Sequence, residues 1–270
     1  MQVVIRPVGE HLREWRQRRR LSQLDLALEA EISTKHLSFL ETGRATPSRD
    51  MVLHLAERLD VPLRQRNLLL LSAGYAPVFS ERSLEDPALG AARKAVDLVL
   101  AGHEPYPALA IDRHWTLITA NKAVAPLLAA VNASLLKPPI NVLRLSLHPE
   151  GLAPRIVNLH EWRGHLLERL RRQIDVSADA VLIDLLTELR AFPAPQPHAG
   201  VKPERGADYA GIAIPFRLAT DAGVLSFFST TTVFGTPVDV TLSELALESF
   251  FPADAKTAER LRVGASSTSG

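Results

Sequence analysis

Over the first 75 positions, apolar residues recur at helical spacing between residues that start and stop helices. Leu12 and Trp15 share one side of a helix predicted over Gly9 to Arg19, whose other side is rich in arginine. Ser22 is placed to cap a second helix carrying Leu24, Leu26, Ala27 and Leu28, which breaks at Glu31-Ile32. Ser33 caps a third, Thr34 to Glu41, and Thr42-Gly43 ends it, because glycine accepts the left-handed conformation of a helix stop. Pro47-Ser48 opens a fourth helix to Leu59, and Val61-Pro62 starts a fifth that Gly74 closes.

Beyond this point the pattern changes. Pro77, Pro87 and Pro105 surround a helical stretch, Ala91 to Leu100, which reads as a helical linker over residues 76–105. Ala108 to Ile111 and Thr116 to Thr119 read as strands joined at Asp112-Arg113, and Asn121 as the cap of a helix that Pro126 kinks. Helices are predicted over 141–147, 159–173 and 178–190, then a loop rich in proline and alanine over 192–204. Strands are predicted over 212–219 and 224–234, hinged at Thr220-Asp221-Ala222-Gly223. Leu245 to Phe251 reads as a further strand, with helix as the alternative. The domains expected are 1–75, a linker 76–105, a second domain 106–260 and a disordered tail 261–270, which is small and polar.

Composition narrows the function. With no cysteine in 270 residues, disulfides, thiolate zinc sites and cysteine nucleophiles are excluded. No apolar run reaches ~18 residues and residues 1–10 hold no signal-peptide core, so a cytoplasmic protein without a membrane span is expected. Net charge is only +1, but residues 1–20 hold six arginines against Glu10 and Glu14, a local basic patch of the kind that attracts phosphate. His160 and His165 are five apart, about 140° out of line on a helix, so the paired histidines of a zinc protease are not present. No glycine-rich phosphate loop or nucleophile elbow appears, so no catalytic residue, metal or cofactor is expected and the chain is read as a non-enzyme.

In the second and third helices, Leu26, Ala27, Ile32, Leu37 and Leu40 form an apolar seam. Thr34, Lys35, Ser38, Phe39 and Thr42 are left facing outward, as a helix entering the major groove requires. The stretch SQLDLALEAEISTKHLSFLETGRATPS resembles the XRE-like helix-turn-helix repressors of the Cro type. The resemblance implies an all-α, lambda-repressor-like bundle binding double-stranded DNA. Gln23 then touches the backbone and an adjacent base edge, Thr34 and Lys35 take the first base-reading positions, and Ser38 and Phe39 face the groove a turn later. Arg44 meets phosphate, and Arg16 pairs with Glu41 to tie the first helix to the third. Phe39 departs from the polar or basic residue many relatives place there. Arg13, Arg16, Arg18, Arg19 and Arg44 are the expected phosphate contacts. A homodimer on an inverted-repeat operator is expected, since one module on one half-site binds weakly.

Four later stretches, PYPALAIDRHWTLITAN, NVLRLSLHPEGLAPRIVN, HEWRGHLLERLRR and LSFFSTTTVFGTPVDVTLSELALESFFPAD, resemble the ligand-binding domain of MmyB-like regulators, a PAS-like module. The resemblance implies an α+β domain: an antiparallel sheet with helices on one face and a pocket between them. Expected lining residues are Trp115, His148, Trp162, Phe216, Phe227 and Phe228, with Arg155 for a ligand carboxylate. The leading expectation is a transcriptional regulator whose DNA binding responds to a small, largely apolar, acyl-chain-like metabolite. Two alternatives stand beside it: a module that only dimerises or docks a protein, and a DNA-tethered enzyme.

Overall fold

The computed structural model describes residues 6–177, 179–193, 214–235, 237 and 239–267. The helices in chain order are α1 (Val8–Arg18), α2 (Gln23–Glu29), α3 (Thr34–Glu41), α4 (Arg49–Arg58), α5 (Leu63–Ser72), α6 (Gly90–Gly102), α7 (Val142–Leu147), α8 (Leu159–Ser177), α9 (Ala180–Ala191), α10 (Val240–Ser243) and α11 (Ala255–Ser267). The strands are β1 (Ala108–Ile111), β2 (Leu117–Ala120), β3 (Phe216–Thr220), β4 (Gly223–Val233) and β5 (Ala246–Pro252). The chain divides into two compact units, one ending at Ser83 that also takes in the segment through Ser243, the other built from the remainder.

In the first unit, serines start three helices. Ser22, Ser33 and Ser48 each accept a backbone N–H of the first turn, and Ser22 with Asp25 forms a reciprocal capping box. Leu12, Trp15, Leu26, Leu37, Leu40 and Leu55 are buried together at the centre. Between α2 and α3 the chain turns through Glu31, whose φ of 54° is left-handed, and Ile32 N–H closes the turn on the Ala27 carbonyl at 2.9 Å. Helices α1 and α3 touch so closely that a Cβ on Gly9 would lie 2.3 Å from the Leu40 carbonyl oxygen.

Across that contact runs a buried ion pair. Arg16 Nε donates to Glu41 Oε1 at 2.6 Å and Nη2 to Oε2 at 2.9 Å, while Nη1 reaches the Leu21 carbonyl at 2.9 Å. The Glu41 hydrogen bonds hold the arginine pKa above its ordinary value. Gln23 Nε2 adds a third donor to Glu41 at 2.8 Å.

The segment around α10 completes this unit, although its sequence lies within the predicted second domain. Val240 N–H donates to the Ser80 carbonyl at 2.8 Å, and Thr241 Oγ1 donates to the Arg82 carbonyl at 2.6 Å. Asp239 is buried, accepting Thr241 N–H at 2.9 Å and Arg82 Nη1 at 3.3 Å. Helix α10 packs against α5.

The second unit is a five-stranded sheet in the order β2-β1-β5-β4-β3, with every neighbouring pair antiparallel. The β3–β4 hairpin closes at Thr220 opposite Gly223, whose φ of 107° suits glycine. Alternation along β1 sends its residues to two faces. Ala108 and Ala110 pack with Val96 and Leu100 of α6, and with Leu245 and Leu247. Ile111 packs with Trp162, Leu166 and Leu170 of α8 and Leu182, Leu185 and Leu189 of α9.

Three expectations change here. Helix α6 is part of the second unit's core, not a linker, because Val96 and Leu100 are buried on the alanines of β1; the sheet therefore carries helices on both faces. Asn121 caps no α-helix. A turn and a 3-10 stretch at Ala125–Leu128 follow it, with Pro126 in their first turn. Its side chain instead accepts Ala108 N–H and donates to the Leu100 and Tyr106 carbonyls. Helix α11 runs to Ser267, past the predicted tail boundary at 261; it is anchored at its start by buried Thr257, which accepts Ser226 N–H. The loop predicted over 192–204 and the start of the strand predicted at 212 lie largely outside the described residues.

Replacing Arg16 by Met strands Glu41 in the core. The expected loss is about 3–5 kcal/mol in the urea unfolding of the first unit, with most of it recovered in Arg16→Met/Glu41→Leu. Glu31→Gly relieves a left-handed conformation and is expected to raise the same unfolding free energy, by no more than about 1 kcal/mol.

Candidate functional site

Helix α3 presents a continuous polar and aromatic face. Lys35, Thr42 and Arg44 are exposed, and Thr34, Ser38 and Phe39 are half-buried. The Phe39 ring sits between two cations: Lys35 Nζ lies 5.7 Å and Arg44 Cζ 5.9 Å from its centroid. The Arg44 and Ala45 N–H groups both donate to the Phe39 carbonyl, which holds the chain after α3 against this ring. Thr42 Oγ1 donates to the Ser38 carbonyl at 2.7 Å.

The other residues predicted to meet DNA are placed differently. Arg13 is exposed on α1. Arg16 is occupied by Glu41, and Arg19 donates to the Leu59 and Asp60 carbonyls at 2.8 and 2.7 Å, satisfying the C-terminal end of α4. Arg18 binds Glu14 at 2.5 Å. Gln23 is half-buried at the start of α2, its amide nitrogen held by Glu41. Glu41 thus positions both an α1 arginine and an α2 glutamine beneath the α3 face.

The second unit encloses a cavity of about 100 Å³ between the sheet and α7–α8. Trp115, Trp162, Phe216 and Phe227 line it together with leucines of β1, β2, α7 and α8. His148, Arg155 and Phe228 lie outside that lining. His148 Nδ1 accepts Glu150 N–H and its ring packs on Phe192. Arg155 donates to the Ala219 and Leu127 carbonyls, both at 3.0 Å. Phe228 stacks on Phe251, because alternation turns it away from Phe227.

The cavity lining is apolar except for Ser146, Ser229 and one charged corner. Arg169 Nη1 donates to Glu248 Oε2 at 3.0 Å, Nη2 pairs with Oε1, and Nη2 also reaches Thr231 Oγ1 at 2.7 Å. The guanidinium lies 4.6 Å from the Trp115 ring centroid. Trp115 has a φ of 65°, rare for a bulky residue, and is held there by Arg169 and by Gln173 Oε1, which accepts its indole N–H at 2.8 Å. Ser146 Oγ accepts the Trp162 N–H at 3.0 Å. His165 has its pKa pushed down by burial first and by nearby Arg169 second.

Sequence reasoning missed Arg169 and Glu248. Their signals were present: Trp162, Leu166 and Arg169 follow helical spacing onto one face, and Glu248 is the lone charge in the apolar run of β5. Among the described residues, no group of three or more histidine, aspartate or glutamate side chains is placed to hold a metal ion. Nor is any helix among them long and apolar enough to cross a membrane.

Two family models match the chain: a helix-turn-helix domain over residues 7–69, and the MmyB-like transcription regulator ligand binding domain over residues 92–263. A search of curated proteins found no match. The matched spans coincide with the helical bundle that carries the α3 face and with the sheet unit that holds the cavity. The second match alone covers more than half of the chain, which therefore belongs to the MmyB-like family: it is a DNA-binding transcription regulator with an N-terminal helix-turn-helix and a C-terminal ligand-binding domain.

Proposed function

We propose that this regulator reads an inverted-repeat operator as a homodimer, and that a small, largely apolar metabolite in the sheet-unit cavity sets its affinity for DNA. The reading rests above all on the cavity, whose lining is aromatic and leucine-rich with two serines and a single charged corner. In the DNA reading, α3 enters the major groove with Thr34, Lys35, Ser38 and Phe39 toward the bases. Phe39, steadied between Lys35 and Arg44, offers an apolar face to a thymine methyl. Arg13, Thr42 and Arg44, all exposed, meet phosphate. Gln23 reaches the backbone from the start of α2 while Glu41 holds its amide. Arg16 and Arg19 act from beneath, by fixing α1 to α3 and to the end of α4. Such a protein works where the DNA is, in the cytoplasm.

The charged corner is internally neutral, since Glu248 and Arg169 close on one another. What the cavity offers an occupant is therefore mainly the removal of apolar surface from water, about 25 cal/mol per Å². Such an occupant shifts DNA affinity only if it binds two states of the protein unequally.

Selection from a random duplex pool identifies the operator. On it, Lys35→Ala is expected to relax the preference at one base pair per half-site by about 1–3 kcal/mol; equal loss on operator and random duplex removes Lys35 from base reading. For the cavity, the neutral fluorophore N-phenyl-1-naphthylamine is expected to bind saturably, with blue-shifted emission. Leu117→Trp, at the half-buried β2 edge of the lining, is expected to abolish that signal while leaving DNA binding intact. Undiminished fluorophore binding by this variant rules the cavity out as the site.

A further inference from the structure

All five strands reach the cavity: β1 through Leu109, β2 through Leu117 and β3 through Phe216, with two residues each from β4 (Phe227 and Ser229) and β5 (Glu248 and Phe250). Strands β4 and β5 are adjacent and antiparallel, in register from Phe227 opposite Pro252 to Val233 opposite Ala246. A hairpin connection between such strands is ordinarily a few residues of surface turn. Here it is a longer excursion whose far part, Asp239–Ser243, belongs to the DNA-binding unit.

That part is built in as core. Val240 is 0% exposed and Asp239 1% exposed. Asp239 forms an isolated parallel bridge with Ser80, and the Val240 N–H donates to the Ser80 carbonyl. The Asp239 carboxylate does two things: it accepts Thr241 N–H, capping α10, and it closes on Arg82. Thr241 Oγ1 returns a hydrogen bond to the Arg82 carbonyl. A carboxylate out of water is strongly disfavoured without such partners, so the segment keeps this seat or leaves it as a whole. It rests on α5, which in turn packs on α1 and α4.

The chain on the return side leaves little slack. Val240 is buried in the first unit, and Leu245, five residues later, is buried in the second with Leu247 and Ala110. Three residues after Ser243 the backbone is already in β5, paired with β1 and β4. Only Glu244 and Leu245 separate the end of α10 from the start of β5, the strand that carries Glu248 and Phe250.

We propose that the Asp239–Ser243 segment is the transmission element of this regulator: a strap anchored in the DNA-binding unit by Asp239, Val240 and Thr241, through which occupancy of the cavity alters that unit. This rests on the reading of the cavity as a ligand site and adds the route by which it acts. Asp239 is a positioning residue, contacting neither the cavity lining nor the α3 face. In the bound state β4 and β5 are held by the occupant, the strap is drawn or released at α5, and the bundle beneath α3 responds. Reciprocity follows: DNA binding changes the affinity of the cavity by the same factor.

The test uses the full chain, the selected operator and N-phenyl-1-naphthylamine. In the wild type, saturating fluorophore is expected to change operator Kd by about five-fold or more. Hydrogen exchange is expected to slow in β4 and β5 and to change in residues 63–83. Asp239→Ala is expected to leave fluorophore affinity and the exchange of β4 and β5 as in the wild type, while reducing the change in operator Kd to less than two-fold, roughly the noise of such coupling measurements. A second variant keeps every strap residue but adds Gly-Ser-Gly-Ser after Gly235 and again after Ser243; it is expected to uncouple in the same way. Full coupling in both variants, or no response of residues 63–83 in the wild type despite slowed exchange in β4 and β5, overturns the strap alone. Absence of any protection in β4 and β5 overturns the ligand reading, and the strap with it.

Discussion

A carboxylate removed from water destabilises a fold by several kcal/mol unless a cation and hydrogen-bond donors meet it, and this constraint organises the molecule. Among the described residues, Glu41, Asp239 and Glu248 are buried acids, exposed by 6%, 1% and 4%. Each is closed by one arginine: Arg16, Arg82 and Arg169. Each pair also crosses a junction that sequence-local forces leave open. Glu41 joins α3 to α1 and α2, Asp239 joins the far segment to the first unit, and Glu248 joins β5 to α8. Apolar contacts supply most of the driving force for burial, but they tolerate sliding. A bidentate arginine–carboxylate pair, as at Arg16–Glu41 and Arg169–Glu248, does not, and so fixes register; Asp239 divides its oxygens between Arg82 and the Thr241 N–H to the same end.

This explains the division of labour among the arginines near the N-terminus. The basic patch that the sequence displays is not used uniformly. Arg16 and Arg19 spend their donors inside the bundle, on Glu41 and on the last carbonyls of α4, while Arg13 and Arg44 remain in solvent. Net charge near zero is compatible with DNA binding for that reason: a few exposed cations at fixed positions around α3 matter more than the sum over the chain.

Legibility in the sequence followed the range of the forces involved. The five helices of the bundle were readable because caps at Ser22, Ser33 and Ser48 and the spacing of Leu26, Leu37 and Leu40 act within a few residues. Strands β1 to β4 were readable and β5 was left between strand and helix, while Trp115, Trp162, Phe216 and Phe227 lie together in the cavity lining. What escaped was set by distant partners. Helix α6 reads as a linker until the alanines of β1, whose small side chains admit Val96 and Leu100, are placed opposite it. His148, Arg155 and Phe228 are chemically suitable for a ligand but are engaged elsewhere: His148 by the Glu150 N–H and the Phe192 ring, Arg155 by two backbone carbonyls, and Phe228 by strand parity. Arg169 and Glu248 were not singled out because their pairing spans 79 residues, from α8 to β5.

The return of the chain into the first unit has a consequence for biosynthesis. Arg82 and Asp239 are 157 residues apart, so helices α1 to α5 leave the ribosome long before the residues that finish their unit. At ~5–20 residues per second, that interval is about ten to thirty seconds. During it the bundle already has its capped helices and its Arg16–Glu41 pair, but Arg82 lacks its carboxylate and α5 lacks Val240. The helix-turn-helix unit thus reaches its final form only after most of the sheet unit has been translated, and a nascent chain differs from the released one in the packing on α5.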